Sequence, residues 1–237
     1  MSEYVGAVVG GLRAVFEGTR EPVRAVAMAA YMRDQFPFLG IPSPERAALQ
    51  RQAVAGLPKP TEAELDLAVR ELWALPEREY QYAALDLLLR NVTVLSPGFL
   101  ETARWLATAK SWWDTVDTLA AHVVGALVLR NAELGAAMDT WAEDADFWVV
   151  RTAILHQLRF KSATDTERLF RYCEMHAGNS EFFIRKAIGW ALREYSKTDA
   201  AAVRQFVAED EGKLSGLSKR EALLWLNGGR KGGARRE

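Results

Sequence analysis

At 237 residues and 26.4 kDa, the chain can bury one sizeable core without needing two independent domains. A single cysteine, Cys173, leaves no intramolecular disulfide or cysteine-based zinc site, and His122, His156 and His176 are too scattered for an HxxxH or HExxH metal motif. No apolar run approaches the roughly 18 residues of a membrane span, the opening residues with Glu3 lack the basic start of a signal peptide, and the net charge is −1; a cytosolic protein is expected.

Helical periodicity recurs throughout, interrupted by Pro, Gly, Asn, Asp and Ser/Thr. The spacing predicts a first helix over 2–18 and a second from Pro22, at its first turn, to Gln35. Phe36–Pro42 reads as an apolar, Pro/Gly-interrupted loop, and Ser43-Pro44-Glu45 restarts a helix with a cap and a first-turn proline. Thr61-Glu62-Ala63-Glu64 is a capping box for a helix over 62–75, which Pro76 ends before the next over 77–92. Ser96-Pro97 opens a helix to Ala107, and a central helix runs from Trp112 to Arg130. Helices then follow over 132–141, 145–160, 165–176, 181–197 (capped by Asn179 or Ser180), 199–209 and 218–226. No segment alternates as a strand does.

About twelve helices in hairpins spaced roughly 35–40 residues apart fall in the range of HEAT- and armadillo-type units. The expected fold is all-α: one domain over 1–227, a right-handed superhelical stack of HEAT-like repeats with a concave face. Residues 228–237 form a basic tail expected to be disordered. Charge is split along the chain. From Arg151 onward 17 Lys and Arg face 11 Asp and Glu (+6), whereas 1–150 carries −7, although Arg230, Lys231, Arg235 and Arg236 supply four of the surplus positive charges. The split suggests a surface directed at an anion.

Eight tryptophans, Trp73, Trp105, Trp112, Trp113, Trp141, Trp148, Trp190 and Trp225, exceed what core packing needs. Three keep charged company at helical spacing. Trp113 and Asp117 are i, i+4; Trp148 and Arg151 are i, i+3; Trp190 has Lys186 at i−4 and Arg193 at i+3. An indole beside an Arg is ordinarily an amphipathic boundary residue. Asp117 is harder to dismiss, because Val116, Leu119, Ala120 and Ala121 surround it with apolar sequence and a carboxylate there needs a partner or a function. Pairing with Arg151 would satisfy it structurally.

Four blocks resemble one family in order and spacing. They are Tyr31-Met32 with Phe36–Ile41, Lys110–Asp117, Arg151–Gln157 and Phe183–Lys197, and together they resemble the AlkD-type DNA alkylation-repair glycosylases. The resemblance implies HEAT-like helical repeats and hydrolysis of the N-glycosidic bond of N3- and N7-alkylated purines, such as 3-methyladenine and 7-methylguanine, in double-stranded DNA. It also implies base excision without base flipping, no cofactor and no metal. The protein would be a monomer whose partner is duplex DNA containing alkylated bases, in a bacterial-type, nucleoid-associated cytoplasmic setting. By the same resemblance Asp117 is the catalytic carboxylate, Trp113 and Trp190 flank the lesion's deoxyribose, Arg151 supports the site, and Tyr31 lies near the DNA backbone.

The chemistry fits these residue types. A cationic alkylpurine departs as a neutral base, so the positive, oxocarbenium-like sugar is what needs stabilising. A carboxylate does this electrostatically and can orient water, and indole faces add cation–π attraction. Phosphate contacts are expected from Arg159, Lys161, Arg185, Lys186, Arg193 and Lys197. Two alternatives share the fold: a catalytically inactive DNA-structure binder, which should lack the carboxylate or an indole, and a protein-binding scaffold, which has no use for Asp117. Reading by helix face, Trp113 and Asp117 share the DNA side, whereas Trp112 and Asp114 point elsewhere.

Overall fold

The computed structural model of the protein describes residues 2–228. Among them every regular element is helical and none is a strand, as the periodicity predicts. No described helix is long and apolar enough to cross a membrane. Apart from Gly228, the basic tail and its expected disorder lie outside the described residues. The chain divides into two compact units, Met1–Thr102 and Ala103–Glu237, the division falling inside one helix, α6.

The first unit holds α1 (Glu3–Glu17), α2 (Pro22–Tyr31), α3 (Ser43–Ala53), α4 (Glu62–Ala74), α5 (Arg78–Arg90) and the start of α6 (Phe99–Thr108). Val5, Val8, Leu12 and Phe16 make a buried stripe along α1, which packs on α3 and α4. Leu65, Leu72 and Trp73 answer it from α4, and burying each such side chain is worth about 1.5–3 kcal/mol. The capping box of α4 forms as expected, with Glu64 also accepting from Ser2 Oγ at 2.8 Å. The loop after α2 is buried at Phe38, Leu39 and Ile41. That is possible because the buried Glu79 carboxylate accepts from the backbone N–H groups of Leu39, Gly40 and Ile41, at 2.9, 2.9 and 3.1 Å. Helix α2 stops at Tyr31 rather than Gln35, since Arg33 and Asp34 both turn left-handed at φ 56°.

The second unit holds the remainder of α6 and a continuous helix from Trp113 to Arg130. This helix is α-helical over α7 (Trp113–Thr118), π-helical over Leu119–Val124 and α-helical again over α8 (Gly125–Arg130). After it come α9 (Gly135–Ala142), α10 (Phe147–Leu155), α11 (Thr166–Met175), α12 (Phe182–Tyr195), α13 (Ala200–Glu209) and α14 (Gly216–Leu223). Helix α10 is buried from Trp148 to Leu155 and packs on α7, the π segment, α9, α11 and α12, so it is the axis of this unit. It ends at Leu155, short of the expected 160, and the chain leaves it through turns in which Lys161 is left-handed at φ 54°. Helix α12 is capped by Glu181, not by Asn179 or Ser180. Asn179 Oδ1 instead accepts from the Glu181 N–H at 2.8 Å, so the expected cap supports the actual one.

Candidate active site

Asp117 stands in the last turn of α7, just before the π segment, and Arg151 in the middle of α10. The two meet in a bidentate pair: Arg151 Nε donates to Asp117 Oδ1 at 2.7 Å and Nη2 to Oδ2 at 2.8 Å. The remaining guanidinium nitrogen, Nη1, donates to the backbone carbonyl of Phe183 on α12. Arg151 is thus held on three sides, as a side chain only 1% exposed must be. Its guanidinium carbon also lies 5.3 Å from the Trp190 ring and 5.8 Å from the Phe183 ring.

The Asp117 side chain keeps 19% of its surface, so the pair has a wet end and a dry end. Burial pushes the Asp117 carboxyl above the ordinary aspartate value; Arg151 opposes this by charge and hydrogen bonding, and the neighbouring Asp114 carboxylate adds to the rise. Such a carboxylate is fixed in direction, partly desolvated and still reachable. It can stabilise positive charge developing in front of it far better than a free surface aspartate can.

The structure brings Asp117, Arg151 and Trp190 together from α7, α10 and α12. Trp113 opens α7 one turn ahead of Asp117 and is partly exposed, in the register that i, i+4 spacing requires. Trp112 immediately precedes α7. Its ring lies 5.2 Å from Phe183 and 6.0 Å from Trp148, in a cluster that Phe147 completes with its ring 4.7 Å from Trp148 and parallel to Phe183 at 6.3 Å. This aromatic floor anchors the start of α7 and the Phe183 carbonyl that Arg151 needs. Sequence reasoning missed Phe183, whose part is played by its backbone, although the Phe182-Phe183 doublet at the start of α12 was a visible signal.

The expected phosphate contacts fall into two groups. Arg159 and Lys161 are exposed, and no carboxylate among the described residues pairs with them. Arg159 is close enough to His122 for its charge to add to burial in lowering that histidine's pKa. The other four are engaged. Arg185 Nε donates to the Asn179 carbonyl at 2.8 Å; Lys186 Nζ and Arg193 Nη1 reach Glu221 at 2.7 and 2.9 Å; Lys197 pairs with Glu194 and lies 5.7 Å from the Trp225 ring. Tyr31 ends α2 in the other unit and is 70% exposed.

A sequence model of a family described as DNA alkylation repair enzymes matches residues 12–226. A solved structure, of a predicted DNA alkylation repair enzyme from Enterococcus faecalis, is similar with a TM-score of 0.81 and 34% sequence identity, over 88% of this chain and 97% of that one. No curated protein gives a significant match. The chain therefore belongs to the DNA alkylation repair enzyme family.

Proposed function

We propose that the protein is a DNA glycosylase that hydrolyses the N-glycosidic bond of N3- and N7-alkylated purines, 3-methyladenine and 7-methylguanine among them, in duplex DNA. One observation carries this reading: a partly exposed carboxylate, Asp117, locked in a bidentate pair with a buried arginine that also lies against an indole. In this reading the cationic base leaves by breaking the C1′–N bond and takes the bonding electrons as a neutral purine. The sugar left behind is positive at C1′. Asp117 stabilises that charge through space and orients the water that attacks it, the water's proton passing to solvent. Trp113 and Trp190 offer indole faces to the same cation. Arg151 holds the carboxylate in place. Because the lesion already weakens its own bond, the base can remain unflipped and contacts to the backbone suffice. Arg159 and Lys161 are the free cations of the set and contact phosphates most directly; Arg185, Lys186, Arg193 and Lys197 contribute as they are released or shared, and the exposed Tyr31 ring meets the DNA backbone.

The test is incubation with a duplex carrying one 7-methylguanine, with base release scored in a single turnover. Wild-type protein should release the base. Asp117→Asn, which keeps the shape and loses the charge, should be slower by about 2–4 kcal/mol of barrier, or roughly 30- to 1000-fold. Equal release by the two would remove Asp117 from the reaction, and no release by either with tight binding retained would make the protein a binder of damaged DNA.

A further inference from the structure

Glu221, on α14, lies outside the four blocks that carry the resemblance, yet it touches three of the residues in them. Its carboxylate accepts from Lys186 Nζ at 2.7 Å and from Arg193 Nη1 at 2.9 Å, and the Trp190 indole is near enough to help these two cations lower its pKa. The side chain is only 16% exposed. Its place depends on Gly189. A Cβ there would stand 2.4 Å from Glu221 Cβ and 3.1 Å from the Ser218 carbonyl, so α12 and α14 approach at a distance that leaves room for hydrogen alone.

The charges around Trp190 form a pattern. Lys186 Nζ lies 5.0 Å from the ring centroid and the Arg151 guanidinium 5.3 Å, so two cations already sit against one indole. Each has its own carboxylate: Asp117 for Arg151 and Glu221 for Lys186. An uncompensated lysine at that distance would oppose any further positive charge near the ring, and partial burial strengthens the opposition.

We infer that Glu221 is a positioning residue of the excision site, holding Lys186 and Arg193, offsetting one of their two positive charges and fixing the Trp190 ring so that the indole can serve a positive sugar. The inference rests on the assignment of Trp190 under the proposed function. It also means that Lys186 and Arg193 do not act as free phosphate-binding charges while Glu221 holds them.

The experiment compares full-length wild type, Glu221→Gln, Glu221→Asp and the double variant Glu221→Gln/Lys186→Gln. Three quantities are read: single-turnover release of 7-methylguanine, affinity for the same duplex across a salt series, and the NMR resonance of the Trp190 indole N–H, assigned through Trp190→Phe. Glu221→Gln should excise about tenfold more slowly while binding DNA more tightly. Its salt slope should steepen by about one, because cations are freed. The Trp190 indole resonance should move. Glu221→Asp, which keeps the charge, should stay nearer wild type, and the double variant should recover most of the lost rate. Rate, affinity and thermal stability falling together, with no recovery in the double variant, would make Glu221 a structural residue and overturn the inference. An unchanged salt slope and indole resonance in Glu221→Gln would overturn it too. If wild type itself releases no base, the excision reading falls. The salt slope and the indole resonance then still decide whether Glu221 restrains the two cations and the ring, since neither needs chemistry.

Discussion

The pairing of Asp117 with Arg151 sets two quantities that can be measured. Base release in the proposed mechanism needs the carboxylate ionised, and burial raises its pKa against the pull of Arg151. The acid limb of the single-turnover rate should therefore lie above the ordinary aspartate range, and a limb at or below that range would mean that Arg151 outweighs burial. Removing the cation is a separate matter. Arg151→Met should lose about 3 kcal/mol of stability in a thermal melt, because it strands a partly buried carboxylate and the Phe183 carbonyl. A melt unchanged within error would show that the pair contributes geometry alone. Of this site, Asp117, Arg151 and Trp190 were legible in the sequence, since each sits at helical spacing from an indole or a charge inside a recognisable block. Glu221 and the Phe183 carbonyl were not. They act across helices 28 to 35 residues apart in sequence, and a pair formed only by packing leaves no local pattern to read.

The helix carrying Asp117 is continuous from Trp113 to Arg130, as its periodicity predicts, but its central turn is π-helical over Leu119–Val124. Such a turn inserts into the 3.6-residue register without changing composition, so no residue type announces it. Helix ends follow the same logic. The capping box at Thr61 and Glu64 and the first-turn prolines Pro22 and Pro44 were readable because the chemistry of a cap is local. The end of α2 was not, because its left-handed turn uses Arg33 and Asp34, which carry no glycine-like signal, and neither was the early stop of α10 at Leu155. After the π turn, Gly125 takes α8 against the end of α10, where a Cβ would lie 2.3 Å from the His156 carbonyl oxygen. Gly125→Ala should therefore cost about 1–3 kcal/mol by displacing one backbone from the other. Gly10→Ala, in exposed α1 surface with nothing within 4 Å, should instead gain roughly 0.5–1 kcal/mol. Paired thermal melts decide the point, and two shifts of the same sign would contradict the contact at Gly125.

For the molecule as a whole, the class of fold was legible and the partition of charge was visible, but the buried groups that set its response to acid were not. His156 is buried beside the rings of Phe160 and Tyr172, with its Nδ1 2.6 Å from the Ala153 carbonyl oxygen. Burial lowers its pKa to about 4, from an unfolded value near 6.5. The unfolded chain thus takes up a proton first, so the stability this group contributes is whole above about pH 6.5 and is lost as pH falls towards 4. Over that span the loss amounts to about 3 kcal/mol, a large fraction of the 5–15 kcal/mol typical of a folded protein. His122, lowered by burial and by Arg159, adds to the same window. Asp139 opens a second window. Hydrogen bonding from Arg168, then from Tyr172, brings its carboxyl to about 2, so its contribution is present above pH 4 and disappears between there and 2; with 40% of the side chain exposed, solvent screening keeps this step the smaller one. Thermal melts from pH 7 to pH 3 should show the midpoint falling first between 6.5 and 4. His156→Gln should flatten most of that fall, leaving the part due to His122. A midpoint constant across that range in wild type, or an undiminished fall in His156→Gln, would locate the acid sensitivity elsewhere in the fold.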